Sequence, residues 1–231
     1  MMPTFGSLFA GIGGFDLGLE RAGWTNIWQV EIDEWRTKIL ERHWPENPRW
    51  GDIRTFPPFE DSNWKVDLIC GGFPCEDISR AGRREGIEGK KSGLWTHMLR
   101  VVCQLRPRYV LVENSTSLTV RGLSRILGDL AAGGYDAEWD CLPAAAFGAP
   151  HIRDRLYLLA YPCGGRHGSS EETVFAGWTR TQLHGGWTPE PAMARVADGL
   201  PHRVDRVAAL GDAMTVNIAE WIGRRILVSN G

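Results

Sequence analysis

Apolar runs alternate with amphipathic segments over the first 160 residues of the chain. The apolar runs are short and rich in branched and aromatic residues, which is typical of buried parallel strands. We predict strands over Phe5–Phe9, Ile27–Val30, Val66–Cys70, Tyr109–Val112 and Leu156–Ala160. Apolar residues at helical spacing between them predict helices over Phe15–Ala22, Glu34–His43, Leu94–Leu105 and Leu123–Leu130. This alternation is typical of an α/β fold with a mostly parallel sheet.

The pattern changes after residue 161. Glycine, proline, tryptophan and polar residues dominate from Pro162 to about Arg203, and we predict a small irregular insert there. A last helix follows, because the apolar residues from Ala213 to Ile226 share one helical face. We therefore expect a main domain of residues 1–161 and 204–231 and an insert of residues 162–203.

The composition is that of a soluble globular protein, with 43% hydrophobic and 23% charged residues among 231. No apolar stretch is long enough to span a membrane, and the first residues do not resemble a signal peptide, so we expect a cytoplasmic protein. Five cysteines without disulfide spacing predict free thiols. No zinc-type spacing occurs, and we expect no metal.

The distribution of charge bears on the class of partner. The net charge of −2 argues against nucleic acid, because a basic surface is its usual footprint. A basic cluster nevertheless lies just after Cys75 and contains Arg80, Arg83, Arg84, Lys90 and Lys91. A charge run is usually a solvated face, but one beside a candidate nucleophile favours phosphate binding.

A glycine-rich turn, Phe9-Ala10-Gly11-Ile12-Gly13-Gly14, separates the first predicted strand from the first helix. Such a turn exposes backbone N–H groups to a ligand. Taken alone it indicates either a dinucleotide fold or merely a tight turn. Glu31 follows the second strand at a distance that suits a ribose-binding acid, although it could equally be an N-terminal charge for the next helix.

Two chemically distinctive groups follow the next two strands. The run Val66–Cys70 leads into Gly71-Gly72-Phe73-Pro74-Cys75, and the run Tyr109–Val112 leads into Glu113-Asn114. Because the carboxyl ends of parallel strands converge on one crevice, Cys75 and Glu113 are a candidate nucleophile and acid. A lone cysteine is usually a packing residue, but its place on this loop favours a nucleophile. We assign Cys103, Cys141 and Cys163 to packing, and a strand-end ion pair is the alternative for Glu113.

Taken in order, the motifs FAGIGG, GFPC, EN and Arg153-Asp154-Arg155 resemble those of the cytosine-C5 DNA methyltransferase family. The resemblance runs from Ser7 to Tyr161 and resumes at Gly211–Val216. It implies a Rossmann-like methyltransferase fold with helices on both faces of the sheet, and S-adenosylmethionine as the cofactor, with S-adenosylhomocysteine as the product. The cofactor residues that it implies are Phe9, Gly11, Gly13, Glu31, Ile32, Asp52, Ile53, Leu94, Asp212 and Met214.

The resemblance also implies the chemistry. Cys75 would attack C6 of a cytosine extruded from the duplex, Glu113 would act at N3, and Arg153 and Arg155 would hold the base and a phosphate. Surface ion pairing is the alternative for the two arginines. DNA contacts are expected from Ser79, Arg80, Arg83, Arg84, Arg180 and Gln182. We expect double-stranded DNA as the partner, a monomer, a bacterial or phage-infected cell, and a cognate restriction endonuclease in a restriction-modification pair.

Four positions depart from the family pattern. Ser7 replaces the usual aspartate, Ile32 a bulky aromatic residue, His151 a glutamine and Asp212 an asparagine. The insert is also shorter than the family's usual recognition domain, which predicts a short recognition site or loose specificity. Two alternatives therefore stay open, namely an RNA (tRNA) cytosine-5 methyltransferase and a catalytically impaired DNA-binding homologue.

Overall fold

The computed structural model describes residues 2–57, 64–74, 93–149, 152–164, 173–178 and 214–229. The strands are β1 (Thr4–Leu8), β2 (Thr25–Val30), β3 (Arg49–Trp50), β4 (Leu68–Gly71), β5 (Tyr109–Ser115), β6 (Tyr135–Pro143) and β7 (Asp154–Pro162). The α-helices are α1 (Gly14–Arg21), α2 (Glu34–His43), α3 (Leu94–Leu105), α4 (Leu118–Arg121), α5 (Leu123–Ala132) and α6 (Val216–Val228). Short 3-10 turns cover Ile53–Thr55 and Ala144–Phe147.

The seven strands form one sheet in the order β3-β2-β1-β4-β5-β7-β6. The first five strands in that order are parallel, and β7 runs antiparallel to both β5 and β6. The α/β fold with a mostly parallel sheet is therefore confirmed. The carboxyl ends of β1, β2, β4 and β5 meet at one edge, where the predicted cofactor and chemical groups follow.

Strand β6 was not predicted from the sequence. It begins Tyr135-Asp136-Ala137-Glu138-Trp139-Asp140, and most of its side chains are exposed or half-buried. As the edge strand of the sheet it contacts only β7, so its sequence has no need of a continuous apolar run. The pattern search therefore missed it.

Alternating strand residues supply two hydrophobic cores, one on each face of the sheet. Val110 and Val112 pack with residues of α3 and α5 on one face, whereas Tyr109 and Leu111 pack with residues of α1 and α6 on the other. Burial on both faces is the reason that these strands read as continuous apolar runs. The expectation of helices on both faces is confirmed.

Helices α1 and α6 approach closely through glycine. A Cβ atom at Gly18 would lie 2.5 Å from Cβ of Ala219, and one at Gly14 would lie 2.8 Å from the carbonyl oxygen of Met214. These contacts require that residues 14 and 18 have no side chain. The last helix is thereby packed beside the glycine-rich turn, although 53 residues of sequence lie between it and β7.

Part of the predicted insert packs on the main domain. Phe175 is buried in the core on the α1 and α6 face. The N–H of Val174 donates to Glu138 of β6 at 3.1 Å, and Trp178 Nε1 donates to Asp140 Oδ2 at 2.8 Å. Arg225 of α6 donates to the carbonyl of Val174. Residues 173–178 are thus bound to both the edge strand and the last helix.

Three further expectations can be compared with the described residues. Cys103 and Cys163 are exposed and Cys141 is half-buried, so the assignment of Cys103 and Cys163 to packing is wrong. In the described ranges no helix has the length and apolarity needed to cross a membrane. Over the same ranges no group of three or more His, Cys, Asp or Glu residues is placed to hold a metal ion.

Candidate active site

The chemical end of the site is built on β4 and β5. The two strands pair in parallel with Gly71 opposite Val112, so Gly72 and Glu113 come next in each chain at the same edge. A Cβ atom at residue 72 would lie 2.8 Å from Glu113 Oε2. Glycine at 72 therefore lets the carboxyl group of Glu113 lie directly against the segment that leads to Cys75.

Asn114 fixes that segment from the other strand. The side chain is buried, its Nδ2 donates to the carbonyl oxygen of Phe73 at 3.0 Å, and its Oδ1 accepts from the N–H of Ser115 at 2.8 Å. The Phe73 ring packs beside Trp95 of α3. The backbone of Phe73, two residues before Cys75, is therefore held both by a buried hydrogen bond and by aromatic packing.

Arg155 brings a cation to Glu113 from strand β7. Its Nε lies 3.1 Å from Glu113 Oε1, and both side chains are largely buried. The register explains the contact, because Ser115 pairs with Arg155 and Glu113 with Tyr157 in the antiparallel ladder. An ion pair of this kind favours the ionised carboxylate. The structure thus shows the ion pair that was the alternative reading of Glu113, at the position where an acid was predicted.

Tyr157 lies beneath this pair. It is fully buried, and burial, together with the neighbouring charge of Glu113, raises the pKa of its phenol well above the usual value. Tyr157 therefore stays neutral at any working pH. The other predicted arginine is Arg153, which lies two residues before Arg155 and is half-buried. Its positive charge also acts on Tyr157.

The cofactor end of the site is the turn after β1. The φ angles of Phe9, Gly11 and Gly13 are 53°, 59° and 88°. The backbone is therefore left-handed at three of the five residues from 9 to 13. Glycine adopts this conformation freely, but phenylalanine does not. The turn returns at once to the sheet, because the N–H of Ala10 donates to the carbonyl of Val30 at 3.0 Å. Phe9, Gly11 and Gly13 therefore form one compact cradle at the end of β1.

Glu31 closes this cradle from the end of β2. Its Oε2 accepts from the N–H of Gly11 at 2.7 Å, and its Oε1 accepts from the N–H of Asp33 at 2.9 Å. Burial raises the pKa of Glu31, and the two backbone hydrogen bonds act in the opposite direction. Lone pairs on both oxygens are left to accept from the hydroxyls of a ribose. The contact with the N–H of Asp33, the N-cap of α2, also agrees with the alternative of an N-terminal charge for that helix.

The remaining cofactor positions have different surroundings. Ile32 is 65% exposed and Leu94 is half-buried at the start of α3. Ile53 is buried in the core. Asp52 is paired with Arg54, whose Nη2 lies 2.6 Å from Oδ2, and hydrogen bonds from Arg54 lower the pKa of Asp52. Any ligand contact of Asp52 therefore has to coexist with this neighbour.

Sequence reasoning missed two residues that shape the cradle. A Cβ atom at Gly13 would lie 2.4 Å from the ring of Trp44, which in turn donates to Glu20 at 2.8 Å. Asp16 is fully buried beneath the turn and accepts from Ser7 Oγ at 3.2 Å. A tryptophan just after a predicted helix and an acidic residue on an apolar helix face were the available signals.

Several predicted residues lie outside the described ranges. These are Cys75, Ser79, Arg80, Arg83, Arg84, His151, Arg180, Gln182 and Asp212. The described residues bring together Glu113, Arg155 and the backbone of Phe73 at one strand end, and Phe9, Gly11, Gly13 and Glu31 at the neighbouring one. Of the last motif the structure describes Met214, which lies against Gly14, Thr215, which is the N-cap of α6, and Val216, which begins α6.

A parallel sheet with one antiparallel strand next to its edge, and a glycine-rich cradle beside a buried carboxyl group, defines an α/β protein of the methyltransferase type. The sequence of residues 3–173 matches the family described as C-5 cytosine-specific DNA methylase. The match covers more than half of the chain, and the chain belongs to this family.

Individual relatives agree with this assignment. The chain is similar to the Type II methyltransferase M.NgoFVII of Neisseria gonorrhoeae, with 30% identity over 68% of this chain and 43% of that protein. It is also similar to the Type II methyltransferase M.Eco47II of Escherichia coli, with 35% identity over 66% of this chain and 38% of that protein. The matched region thus spans less than half the length of these relatives.

A solved structure shares the fold. It is a putative DNA modification methyltransferase encoded within an E. coli prophage, with a TM-score of 0.60 and 26% identity, covering 73% of this chain and 49% of that chain. A Dnmt2 methyltransferase of S. pombe, at 23% identity and a TM-score of 0.58, supports the fold alone. The Rossmann-like methyltransferase fold expected from the motifs is therefore confirmed.

Proposed function

We propose that this chain carries the catalytic machinery of a DNA cytosine-5 methyltransferase that uses S-adenosylmethionine. The observation that carries the proposal is the junction of β4 and β5. There Glu113 lies against Gly72, and Asn114 holds the carbonyl of Phe73. Cys75 follows Pro74 directly in the sequence, so the geometry provides an acid beside the segment that bears the candidate nucleophile.

Carbon 5 of cytosine is too weak a nucleophile to accept a methyl group unaided, and covalent catalysis solves this problem. In the proposed reaction the thiolate of Cys75 forms a bond to C6, which makes C5 enamine-like. C5 then takes the methyl group. Loss of the C5 proton and of the thiolate restores the aromatic ring and the free cysteine.

Glu113 is proposed to bind N3 and share a proton with it as the thiolate adds to C6. In the described arrangement the Nε of Arg155 lies 3.1 Å from Glu113 Oε1, and a cation at this distance favours the ionised carboxylate. The proton shared with N3 therefore has to arrive as the base is bound, and Arg155 has to shift towards the O2 of the base. We propose that Arg155 has this dual role, as counter-ion of Glu113 in the free protein and as a ligand of cytosine in the complex.

The cradle fits the proposed cofactor. Phe9, Gly11 and Gly13 offer left-handed backbone and close approach, and Glu31 presents a carboxylate that suits ribose hydroxyls. S-Adenosylmethionine supplies the methyl group when it is bound. The residues of the chain hold it: the cradle on the methionine side, Glu31 on the ribose, and Ile32, Asp52, Ile53 and Leu94 on the adenine side, with Asp212 and Met214 from the last motif.

We further propose that double-stranded DNA is bound by the basic segment after Cys75 and by the insert. Ser79, Arg80, Arg83 and Arg84 would contact phosphates around the extruded base, and Arg180 and Gln182 would read base edges. Because Phe175 and Trp178 are bound to the main domain, we limit the DNA-reading part of the insert to residues 179–203. A companion restriction endonuclease, a monomeric state and a cytoplasmic location remain proposals as well.

The proposal is tested with DNA that contains 5-fluorocytosine, from which the C5 substituent cannot be lost. We expect the protein and labelled S-adenosylmethionine to give a covalent protein–DNA adduct that survives a denaturing gel. The adduct should disappear in Cys75→Ser and persist in Cys103→Ser, because Cys103 is an exposed thiol on α3. A wild-type protein that binds the cofactor yet forms no adduct and methylates no DNA would instead indicate a catalytically impaired homologue. Methylation of tRNA in place of DNA would overturn the choice of substrate.

A further inference from the structure

Asp16 is the one buried acidic or basic residue within the described ranges, and the proposed chemistry does not use it. It lies in the first turn of α1. Its Oδ1 accepts from Asn26 Nδ2 at 2.6 Å and from Gln29 Nε2 at 2.8 Å, and its Oδ2 accepts from Ser7 Oγ at 3.2 Å. Every side chain that contacts the carboxyl group is therefore neutral and acts as a donor.

The surroundings are arranged for the anion. Asn26 and Gln29 both direct their amide nitrogens at Asp16, and their own carbonyl oxygens are buried with no hydrogen-bond partner among the described residues. Leaving two buried acceptors unpaired is unfavourable. Directing both amide nitrogens at Asp16 offsets this cost by stabilising its ionised carboxylate.

No described lysine or arginine forms an ion pair with Asp16. The charged or titratable groups that face it from the neighbouring strands are Arg49 of β3 and Cys70 of β4. Arg49 donates through Nη2 to the carbonyls of Leu40 and Trp44. Cys70 is buried, and burial raises the pKa of its thiol well above the usual value, so it carries no charge. The negative charge of Asp16 is thus left without a cation in contact.

The position of Asp16 suggests where the missing positive charge comes from. Ser7 is two residues before Phe9, Gln29 is two residues before Glu31, and Asp16 is two residues after Gly14. All three strand and helix ends that form the cradle are therefore joined through this one carboxylate. A buried charge without a counter-ion beside a binding site is a candidate for interaction with a charged ligand.

We infer that Asp16 is a selectivity-determining residue, whose buried negative charge favours the sulfonium cofactor over its thioether product. The inference rests on the proposed function. S-Adenosylmethionine has a net charge of about +1 at neutral pH from its sulfonium, ammonium and carboxylate groups, whereas S-adenosylhomocysteine is neutral overall. The two ligands otherwise differ only by the transferred methyl group, whose own contacts do not depend on pH, so a preference that changes with pH reports the charge.

Burial raises the pKa of Asp16 to about 6. The charge is therefore present above that pH and is lost below it. Glu31 also has a raised pKa and titrates as well, but it is proposed to bind the ribose that both ligands carry. The ratio of the two dissociation constants removes the contribution of Glu31 and keeps that of Asp16.

The test is titration calorimetry of the full chain with each ligand between about pH 5 and about pH 8. For the wild type we expect the preference for S-adenosylmethionine over S-adenosylhomocysteine to increase about tenfold with rising pH, as an uncompensated charge at short range predicts. In Asp16→Asn the preference should be low and independent of pH. Glu220→Gln, which removes a half-buried acid paired with the exposed Arg224 on α6, should behave like the wild type.

Equal pH dependence for both ligands in the wild type would overturn the inference, and this result needs no variant. A pH-dependent preference that persists in a folded Asp16→Asn protein, as judged by circular dichroism, would overturn it too. If neither ligand binds at any pH, the cofactor assignment of the proposed function fails instead. The two failures are thus distinguishable.

Discussion

The carboxyl groups at the chemical end and at the cofactor end of the site have different kinds of partner. At the chemical end Glu113 is paired with the guanidinium of Arg155. At the cofactor end Glu31 and Asp16 are held by backbone and side-chain donors that carry no charge. Burial raises the pKa values of both Glu31 and Asp16.

The comparison shows which charges the protein balances by itself. At the chemical end the proposed substrate base is neutral, and Arg155 supplies the cation that accompanies Glu113. At the cofactor end the proposed ligand is itself a cation. No described cation is in contact with Asp16 there, whereas the positive charge of Arg36 acts on Glu31. Four predictions test this contrast, in order of decreasing size of the expected effect.

Replacing Glu113 removes the group that is proposed to share a proton with N3. We expect Glu113→Gln to lower the rate of methyl transfer by about 10²- to 10⁴-fold, the usual range for a general acid–base group. Cofactor affinity should change by less than about twofold, because Glu113 lies at the other strand end. Methyl transfer from labelled S-adenosylmethionine and calorimetry measure the two quantities. Unchanged turnover would remove Glu113 from the mechanism.

Asn114 is proposed to act at the same end only by positioning the backbone of Phe73. Asn114→Ala leaves the buried carbonyl of Phe73 unpaired, which costs about 1–3 kcal/mol, and we expect turnover to fall by roughly ten- to a hundredfold. Asn217→Ala is the matched control, because Asn217 Nδ2 donates to the carbonyl of Phe147 at 2.9 Å in the same manner. The control should lose stability without a comparable loss of turnover. Equal losses of turnover in both variants would indicate that Asn114 has only a general structural role.

At the cofactor end, the ionisation of Asp16 should make the free energy of unfolding depend on pH. The pKa rises from 3.8 to about 6, and each tenfold change in an ionisation constant corresponds to about 1.4 kcal/mol. The folded state binds more protons than the unfolded state between these values, so the contribution of Asp16 to stability falls as the pH rises through this window. We expect the stability of Asp16→Asn relative to the wild type to increase by about 1 kcal/mol between pH 5 and pH 7, measured by urea unfolding. A difference that does not vary with pH would show that Asp16 does not titrate in this range.

The smallest effect is expected for an ion pair at the surface of α6. Glu220 and Arg224 form an i, i+4 pair with an Nη2–Oε1 distance of 2.8 Å, in which Arg224 is 62% and Glu220 is 26% exposed. Glu220→Gln should reduce the free energy of unfolding by only about 0.3–0.5 kcal/mol. The same urea titrations measure this change at low and high salt. A change as large as the roughly 1 kcal/mol expected for Asp16→Asn would contradict the view that burial, and not charge alone, sets these energies.

Much of the framework could be predicted from local pattern. Helices α2 and α3 have the bounds that the apolar spacing predicts, and in the structure Asp33 caps α2 and Pro107 follows α3. The strands β4 and β5 were found because burial on both faces makes them uniformly apolar. Strand β6 was missed, since an edge strand carries polar residues at positions where a central strand cannot.

The departure at Ser7 shows a different limit. In the sequence it is a departure from the usual aspartate of the family. In the structure the carboxyl group of Asp16 on the helix accepts a hydrogen bond from the hydroxyl of Ser7, so an acid lies beside this position. The two residues are nine positions apart in the chain, and the sequence offers no signal that their side chains meet.

The sequence by itself determined the alternation of strands and helices, the glycine-rich turn, and the residue types at each strand end. It did so because burial, helical periodicity and left-handed turns each constrain residues that are close in the chain. Three contacts could be seen only in the tertiary structure. They are the ion pair of Arg155 with Glu113, the hydrogen bond of Asn114 to Phe73, and the burial of Asp16 without a cation in contact. Those contacts join residues from separate strands and helices, and they depend on strand order and register, which act between distant segments of the chain.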